Sequence, residues 1–324
     1  MSSATTQTLG RFLRRGIPVV IGVGLILIIL QQINFSAFQN IVLNADIPLL
    51  CLALFLSAAN LVLGTVRWQL LLKHLDVFVP LSRLLHFVLQ SIAVNLFVPG
   101  GVAGEFSRAL SLHLRHTEAG PAYSSVITDK LLGLIGFLLL AMLAVILEWQ
   151  KLWEVNIIWP VAVFGLILLI MTSALYSGRV SLAVTQRLQR LPAVQRISKL
   201  LTDNLQSYRR TPLILFKTLC IAIAAHMLQI ICTWTIGVAL GVELGFFTYL
   251  LYVPIIAVAA AVPISNSGIG VRETGFVLLL SIAGAEAESA LAISLIFTAF
   301  ALVIPGVFGL LSFSIISHRK APDH

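Results

Sequence analysis

Charge is what this sequence has least of. Only 10% of its 324 residues are Asp, Glu, Lys or Arg, while 59% are hydrophobic. A soluble domain carries roughly 25% charged residues. No stretch of about 80 residues has that ordinary polarity, so no soluble domain is expected. Residues 1–324 read as one transmembrane domain. Cysteine is nearly as scarce. Cys51, Cys220 and Cys232 lie in apolar runs and form no CxxC pair, which excludes a disulfide scaffold or a zinc ribbon. They read as small buried hydrophobes. The signatures HExxH, GxSxG and GxxxxGK[ST] are missing, as is any DxD-like acidic cluster. The chain is therefore not expected to be an enzyme, to hold a metal or cofactor, or to drive transport with ATP on its own.

Acidic residues are outnumbered, 13 against 21 basic ones, giving a net charge of +8. In a soluble protein that excess would suggest nucleic acid. In so apolar a chain it reads as Lys and Arg collected on cytoplasmic loops, and no nucleic-acid partner is expected.

What the chain has is long apolar runs. Six suffice to cross a bilayer, which takes about 20 residues: 16–33, 47–72, 130–148, 157–177, 213–240 and 289–316. Two further stretches, Leu84 to Leu114 and Phe246 to Ala283, are split by Pro, Gly and Ser. As helices their arms rise only about 22 and 16 Å in the first and about 25 and 20 Å in the second. The hydrocarbon core is roughly 30 Å thick, so no arm spans alone. Both stretches read as re-entrant helical hairpins, whose irregular backbone must be buried in protein or line a wet cavity.

Loop charge orients this layout. With the N-terminus inside, the loops at 1–15, 73–83, 115–130, 178–217 and 317–324 carry 17 Lys or Arg. The loops at 34–46, 149–156, 241–245 and 284–288 carry one, Lys151. The asymmetry predicts cytoplasmic N- and C-termini, and hairpins that enter from opposite faces. Trp149, Trp153 and Trp159 cluster at one outer loop as interfacial aromatics do. Arg11, Arg14 and Arg15 before an apolar run resemble a signal peptide, but no A-x-A-like site follows, so an uncleaved first span is expected. Residues 178–212 alternate apolar and basic or amide positions at helical spacing, and read as a cytoplasmic amphipathic surface helix, or two broken at Pro192.

The two breaks resemble each other. One reads VPGGVAGEFSR, Val98 to Arg108, and the other VPISNSGIGVRE, Val262 to Glu273. Each ends an apolar helix in Val-Pro and restarts one with an Arg and a Glu. Paired interruptions in two halves of a membrane protein point to a transporter's binding site, and opposite entry fits an inverted repeat. Pro99 and Pro263 end the first arms. Gly100, Gly101, Gly104, Gly268 and Gly270 permit a tight backbone that a ligand can approach. A helix restarting at mid-depth offers free N–H groups to an anion. Arg108 and Arg272 add a fork suited to phosphate. Glu105 and Glu273 would balance the Arg residues, or receive a proton or an ammonium headgroup. The plainer alternative is an internal ion pair, Glu105 with Arg108 at i, i+3, that only holds a hairpin together. Ionisable residues inside a membrane favour the functional reading.

Other polar positions weigh less. Asp129 and Lys130 stand at the expected start of a span, where a cap and a snorkelling Lys would also explain them. Arg67 and Trp68 read as an interfacial anchor. His226, Gln229 and Thr233 read as a polar seam between helices. Gln90 and Asn95 face the first hairpin's core or cavity.

With these residues in view, FVPGGVAGEFSRALSL, SSVITDKLLGL and VPISNSGIGVRETGFVLLL together resemble the signature regions of the lysylphosphatidylglycerol synthase transmembrane (flippase-like domain) family. The resemblance runs over nearly the whole chain. It departs from the family where Lys130 replaces an Arg after Asp129, and where Asn266-Ser267-Gly268 replaces paired glycines. It implies a lipid flippase or scramblase of the cell (inner) membrane for an aminoacyl-phospholipid, a polyprenyl-linked lipid or a related lipid. Any synthase would sit on a separate chain. The residues expected to bind substrate are then Glu105, Arg108, Asp129, Lys130, Ser265, Asn266, Ser267, Arg272 and Glu273. An ion-coupled small-solute transporter using the same site, and a membrane scaffold for a lipid-modifying enzyme, remain as alternatives.

Overall fold

A computed structural model of the chain describes residues 20–31, 33–98, 103–147, 166, 170, 207–208, 210–261 and 265–317. Its regular structure among these residues is all helical. The helices are α1 (Val20–Leu30), α2 (Phe35–Leu43), α3 (Ile47–His74), α4 (Leu81–Phe97), α5 (Ala103–Arg115) and α6 (Ala119–Leu147). They continue with α7 (Pro212–Ala239), α8 (Phe246–Ala261), α9 (Val271–Ile282), α10 (Ala287–Thr298) and α11 (Ile304–Ser317). A 3₁₀ turn at Asn266–Gly268 precedes α9, and a π-helical stretch at Ala299–Val303 joins α10 to α11.

Among the described residues, four helical segments are long and apolar enough to cross a membrane: Ile47–His74, Ala119–Leu147, Pro212–Ala239 and Ala287–Phe313. A fifth arises if α1 and α2, which meet at 91°, count as one. The expected span at 157–177 and the basic segment at 178–212 lie almost wholly outside the described residues, as do Trp149, Trp153 and Trp159. Large apolar side chains such as Phe55, Leu213 and Phe216 stand exposed on the long helices. That is the pattern of helices solvated by lipid rather than water. Cys51 and Cys220 are exposed too, so only Cys232 keeps the buried role expected of all three.

Two boundaries differ from the sequence expectation. The sequence predicts loop over 34–46, yet α2 forms there. Asn34 caps it, accepting from the Ser36 and Ala37 amides, while its own N–H donates to Glu288. A side-chain cap satisfies the free donors of a new helix even inside a nominal connection. Helix α6 also begins at Ala119 rather than near residue 130. Ser124, Ser125, Thr128 and Asp129 therefore lie within it and are buried. These polar residues resemble a loop in sequence; tertiary partners make them helix.

The chain folds into two compact units, with boundaries inside α3, α4, α5 and α7. Unit 1 comprises residues 1–58, 89–104 and 230–324. In it α9 packs on α8 and α10, and α10 packs on α2. Gly270, at φ +88°, abuts Gly22 so closely that a Cβ would stand 2.5 Å from the Gly22 carbonyl oxygen. Glycine is required there on both counts. Gly306 and Gly309 on α11 likewise admit Leu96 and Leu89 of α4, the close approach that small residues allow between membrane helices.

Unit 2 comprises residues 59–88 and 105–229. Trp68, Leu72, Leu84, Phe87, Ala109, Leu112, Ala122 and Val126 form its main core. Tyr208 packs with Leu71, Leu132, Ile135 and Leu215 in a second cluster, and its hydroxyl donates to the Leu71 carbonyl at 3.0 Å.

Candidate functional site

Short helices flank both expected breaks. The pair α4 and α5 flanks the first break, and α8 and α9 flank the second. Pro99, Gly100, Gly101 and Pro263 lie outside the described residues. The described chain resumes at Ala103 after the first break and at Ser265 within the second.

In unit 1 both breaks converge on Asn95, in the last turn of α4. Its side-chain oxygen accepts from the Gly104 amide at 2.7 Å, satisfying a free donor at the start of α5. Its backbone carbonyl accepts from the Ser267 hydroxyl. Ser267 holds a left-handed backbone, φ 54°, within the 3₁₀ turn. That conformation is uncommon for a residue with a Cβ, and marks the turn as held by its surroundings. Gly104 has no room for a side chain, because a Cβ there would collide with Ser91 and Asn95. Ser265 is fully buried, and its hydroxyl lacks a partner among the described residues. Asn266 is described only through its backbone in the turn.

Helix α9 then begins with Arg272 and Glu273. They are not ion-paired with each other. Glu273, 2% exposed, reaches back from the N3 position to accept from the Gly270 amide, one half of a capping box. Its other oxygen accepts from the Thr298 hydroxyl at 3.1 Å. Arg272 donates to that same Thr298 oxygen at 3.3 Å and to the Ser267 carbonyl at 3.2 Å. Its guanidinium carbon stands 5.8 Å from the Phe297 ring centre. Thr298 sits immediately before the π-helical stretch, an irregularity that recurs at functional sites.

Unit 2 contains a different cluster. Asp129, 4% exposed, accepts from Arg67 Nε at 2.7 Å and from Arg108 Nη2 at 3.2 Å. Arg108 lies over the Trp68 ring, 4.5 Å from its centre. Trp68 is held in turn by donating its indole N–H to Ser125 Oγ at 3.1 Å. One helical turn before Arg108, Glu105 accepts from Lys130 Nζ at 2.8 Å. The alternative of an internal Glu105–Arg108 pair gives way to two inter-helix pairs, α5 to α6. Asp129 is no surface cap. Arg67 and Trp68 are no interfacial anchor either, because both are buried and point into this cluster. His226 stacks on Phe137 with ring centres 3.5 Å apart and hydrogen-bonds the Gly133 carbonyl at 2.9 Å. That is the tie expected of a polar seam.

Of the expected site residues, Glu105, Arg108, Asp129 and Lys130 come together in unit 2. Ser267, Arg272 and Glu273 come together in unit 1. Sequence reasoning placed Asn95 at the first hairpin's core or cavity without naming its partners, missed Thr298, and misassigned Arg67 and Trp68. The signal available for Arg67 was that it is one of three basic residues within the apolar segments, with Arg108 and Arg272.

The described fold and these clusters define a multi-pass, all-helical membrane protein with ionisable groups buried in apolar helices. The chain belongs to the family described as the lysylphosphatidylglycerol synthase TM region, whose profile matches residues 17–309. It is similar to a UPF0104 membrane protein of Methanothermobacter thermautotrophicus, 32% identical over 170 residues. That match takes in 48% of this chain and 47% of the relative, so the chain spans about half the length of that relative. It is also similar to a UPF0104 membrane protein of Pyrococcus horikoshii, 21% identical over 331 residues, covering 95% of this chain and 98% of the relative.

Proposed function

We propose that this protein moves a phosphate-bearing lipid between membrane leaflets, as a flippase or scramblase. The reading has six full spans, two re-entrant hairpins entering from opposite faces, and cytoplasmic termini in the cell (inner) membrane. One observation carries it: each helix that restarts after a break brings an Arg and a Glu into a ring of partners within an apolar chain. Such groups are costly in a membrane, and where they are kept they mark substrate or ion pathways. A headgroup would meet Arg108 at the cluster of unit 2, or Arg272 at that of unit 1, while the tails stay in lipid. When no ligand is bound, Glu273 offsets the charge of Arg272 and Glu105 that of Lys130. Ser265, Asn266 and Ser267 are the positions where headgroup specificity is set.

The membrane potential bears on direction. One charge crossing 100 mV gains or loses about 2.3 kcal/mol. An anionic lipid would move outward downhill in an inside-negative cell, and a net cationic one would not.

The test is reconstitution of the full chain in liposomes with headgroup-labelled phosphatidylglycerol or polyprenyl phosphate. Outer-leaflet exposure of the label is followed over time for wild type and Arg272→Gln. Wild type should transport at least one of these lipids, and the variant should lose most of that rate. No transport of either class would sink the proposal.

A further inference from the structure

We propose that Arg67, Arg108 and Asp129 form a phosphate-anion station in which Asp129 occupies the ligand's place until the ligand arrives. The choice of a phosphate group rests on the lipid-carrier reading; the station itself rests on geometry and charge in unit 2.

Charge is the first argument. Around Asp129, three basic side chains, Arg67, Arg108 and Lys130, meet two carboxylates, Asp129 and Glu105. Among the described residues one positive charge is left over, in a setting where the central groups are buried. Uncompensated buried charge is destabilising, and one anion would cancel it. The second argument is an unused donor. Arg108 is 9% exposed, yet its Nε has no hydrogen-bond partner among the described residues. A buried donor left open is rare in a folded protein and calls for an occupant. Nε and an Nη of one guanidinium form the edge that grips a phosphate with two parallel bonds.

The third argument is asymmetry. Asp129 holds Arg67 at 2.7 Å but Arg108 at 3.2 Å. The longer contact is the one an arriving anion would displace at least cost. Arg67 would keep Asp129 fixed, which makes it a positioning residue rather than a contact to the ligand. Trp68, itself tied to Ser125, keeps the Arg108 plane in place. Binding then exchanges one partner of Arg108 for another without rebuilding the side chain.

The test uses the full chain in phosphatidylcholine nanodiscs, with phosphatidylglycerol as probe and inorganic phosphate as competitor. Wild type should bind phosphatidylglycerol, and Arg108→Gln should weaken that binding by about tenfold or more. Asp129→Asn should tighten it by roughly three- to tenfold, because the internal competitor has gone. A purely structural Asp129 predicts no such gain. Thermal unfolding checks that each variant is folded. Should Asp129→Asn not fold, Arg108→Lys carries the test: it keeps the charge, loses the fork, and should weaken binding by about tenfold.

Competition by inorganic phosphate would show a station that reads the phosphate alone. Its failure beside specific phosphatidylglycerol binding would show one that reads the lipid headgroup. Either supports the station. Equal binding by wild type and Arg108→Gln overturns it, as does a folded Asp129→Asn without gain, or unchanged binding by Arg108→Lys. Intact binding without transport would sink the carrier reading and spare the station.

Discussion

The two breaks read almost alike in sequence, yet their arginines are satisfied in opposite ways. After the first, Arg108 and Glu105 each find an opposite charge on α6. After the second, Arg272 finds a hydroxyl and a backbone carbonyl, and Glu273 finds an amide and the same hydroxyl. The difference lies in where the counter-charge comes from. Helix α6 carries Asp129 and Lys130 to the first site, while α10 brings the neutral Thr298 to the second. An ion-pair cluster depends on every member, since removing one strands a buried charge. A cluster built on neutral acceptors loses less when one is removed. The first should therefore be the more stability-critical and the second the more tolerant.

The largest effect should come from Arg67→Ala. It leaves Asp129 with its longer contact alone and should destabilise the protein by about 3–5 kcal/mol. Unfolding in detergent, by heat or denaturant, measures this. Thr298→Val comes next. It removes the hydroxyl that Arg272 and Glu273 share and should cost about 1–3 kcal/mol by the same measurement. In liposomes it should slow transport more than its stability loss explains. If Thr298→Val destabilises as much as Arg67→Ala, the proposed contrast between the clusters is wrong. Lys130→Gln should have the smallest effect on stability, within about 1 kcal/mol, because Lys130 is 44% exposed and water already screens its pair. Its effect should shrink further at high salt. A large, salt-independent loss would mean that the Lys130–Glu105 pair belongs to the buried cluster.

Much of the fold was legible because lipid imposes a simple rule. Apolar runs of sufficient length became helices at 47–74, 212–239 and 287–313, within a few residues of expectation. The short arms on either side of each break also appeared. Polar helix was harder. The start of α6 carries Ser124, Ser125, Thr128 and Asp129, and hydropathy cannot separate such a stretch from loop. Its partners, Trp68 and Arg67, lie 57 and 62 residues away in sequence. Helix α2 was missed for a related reason, since a side-chain cap and a long-range bond from the Asn34 N–H to Glu288 define its start.

By itself the sequence determined the membrane setting, the family, the two interrupted pairs and the basic residues within apolar segments. Those follow from composition and from short local patterns, which helix geometry and lipid translate directly. The tertiary structure alone decided who pairs with whom. It placed Asp129 between Arg67 and Arg108, set Lys130 on Glu105, made Asn95 the meeting point of both breaks, and gave Arg272 and Glu273 a shared hydroxyl instead of each other. Charge and hydrogen bonding act through space over about 3 Å. No local pattern encodes which distant residue will arrive within that reach.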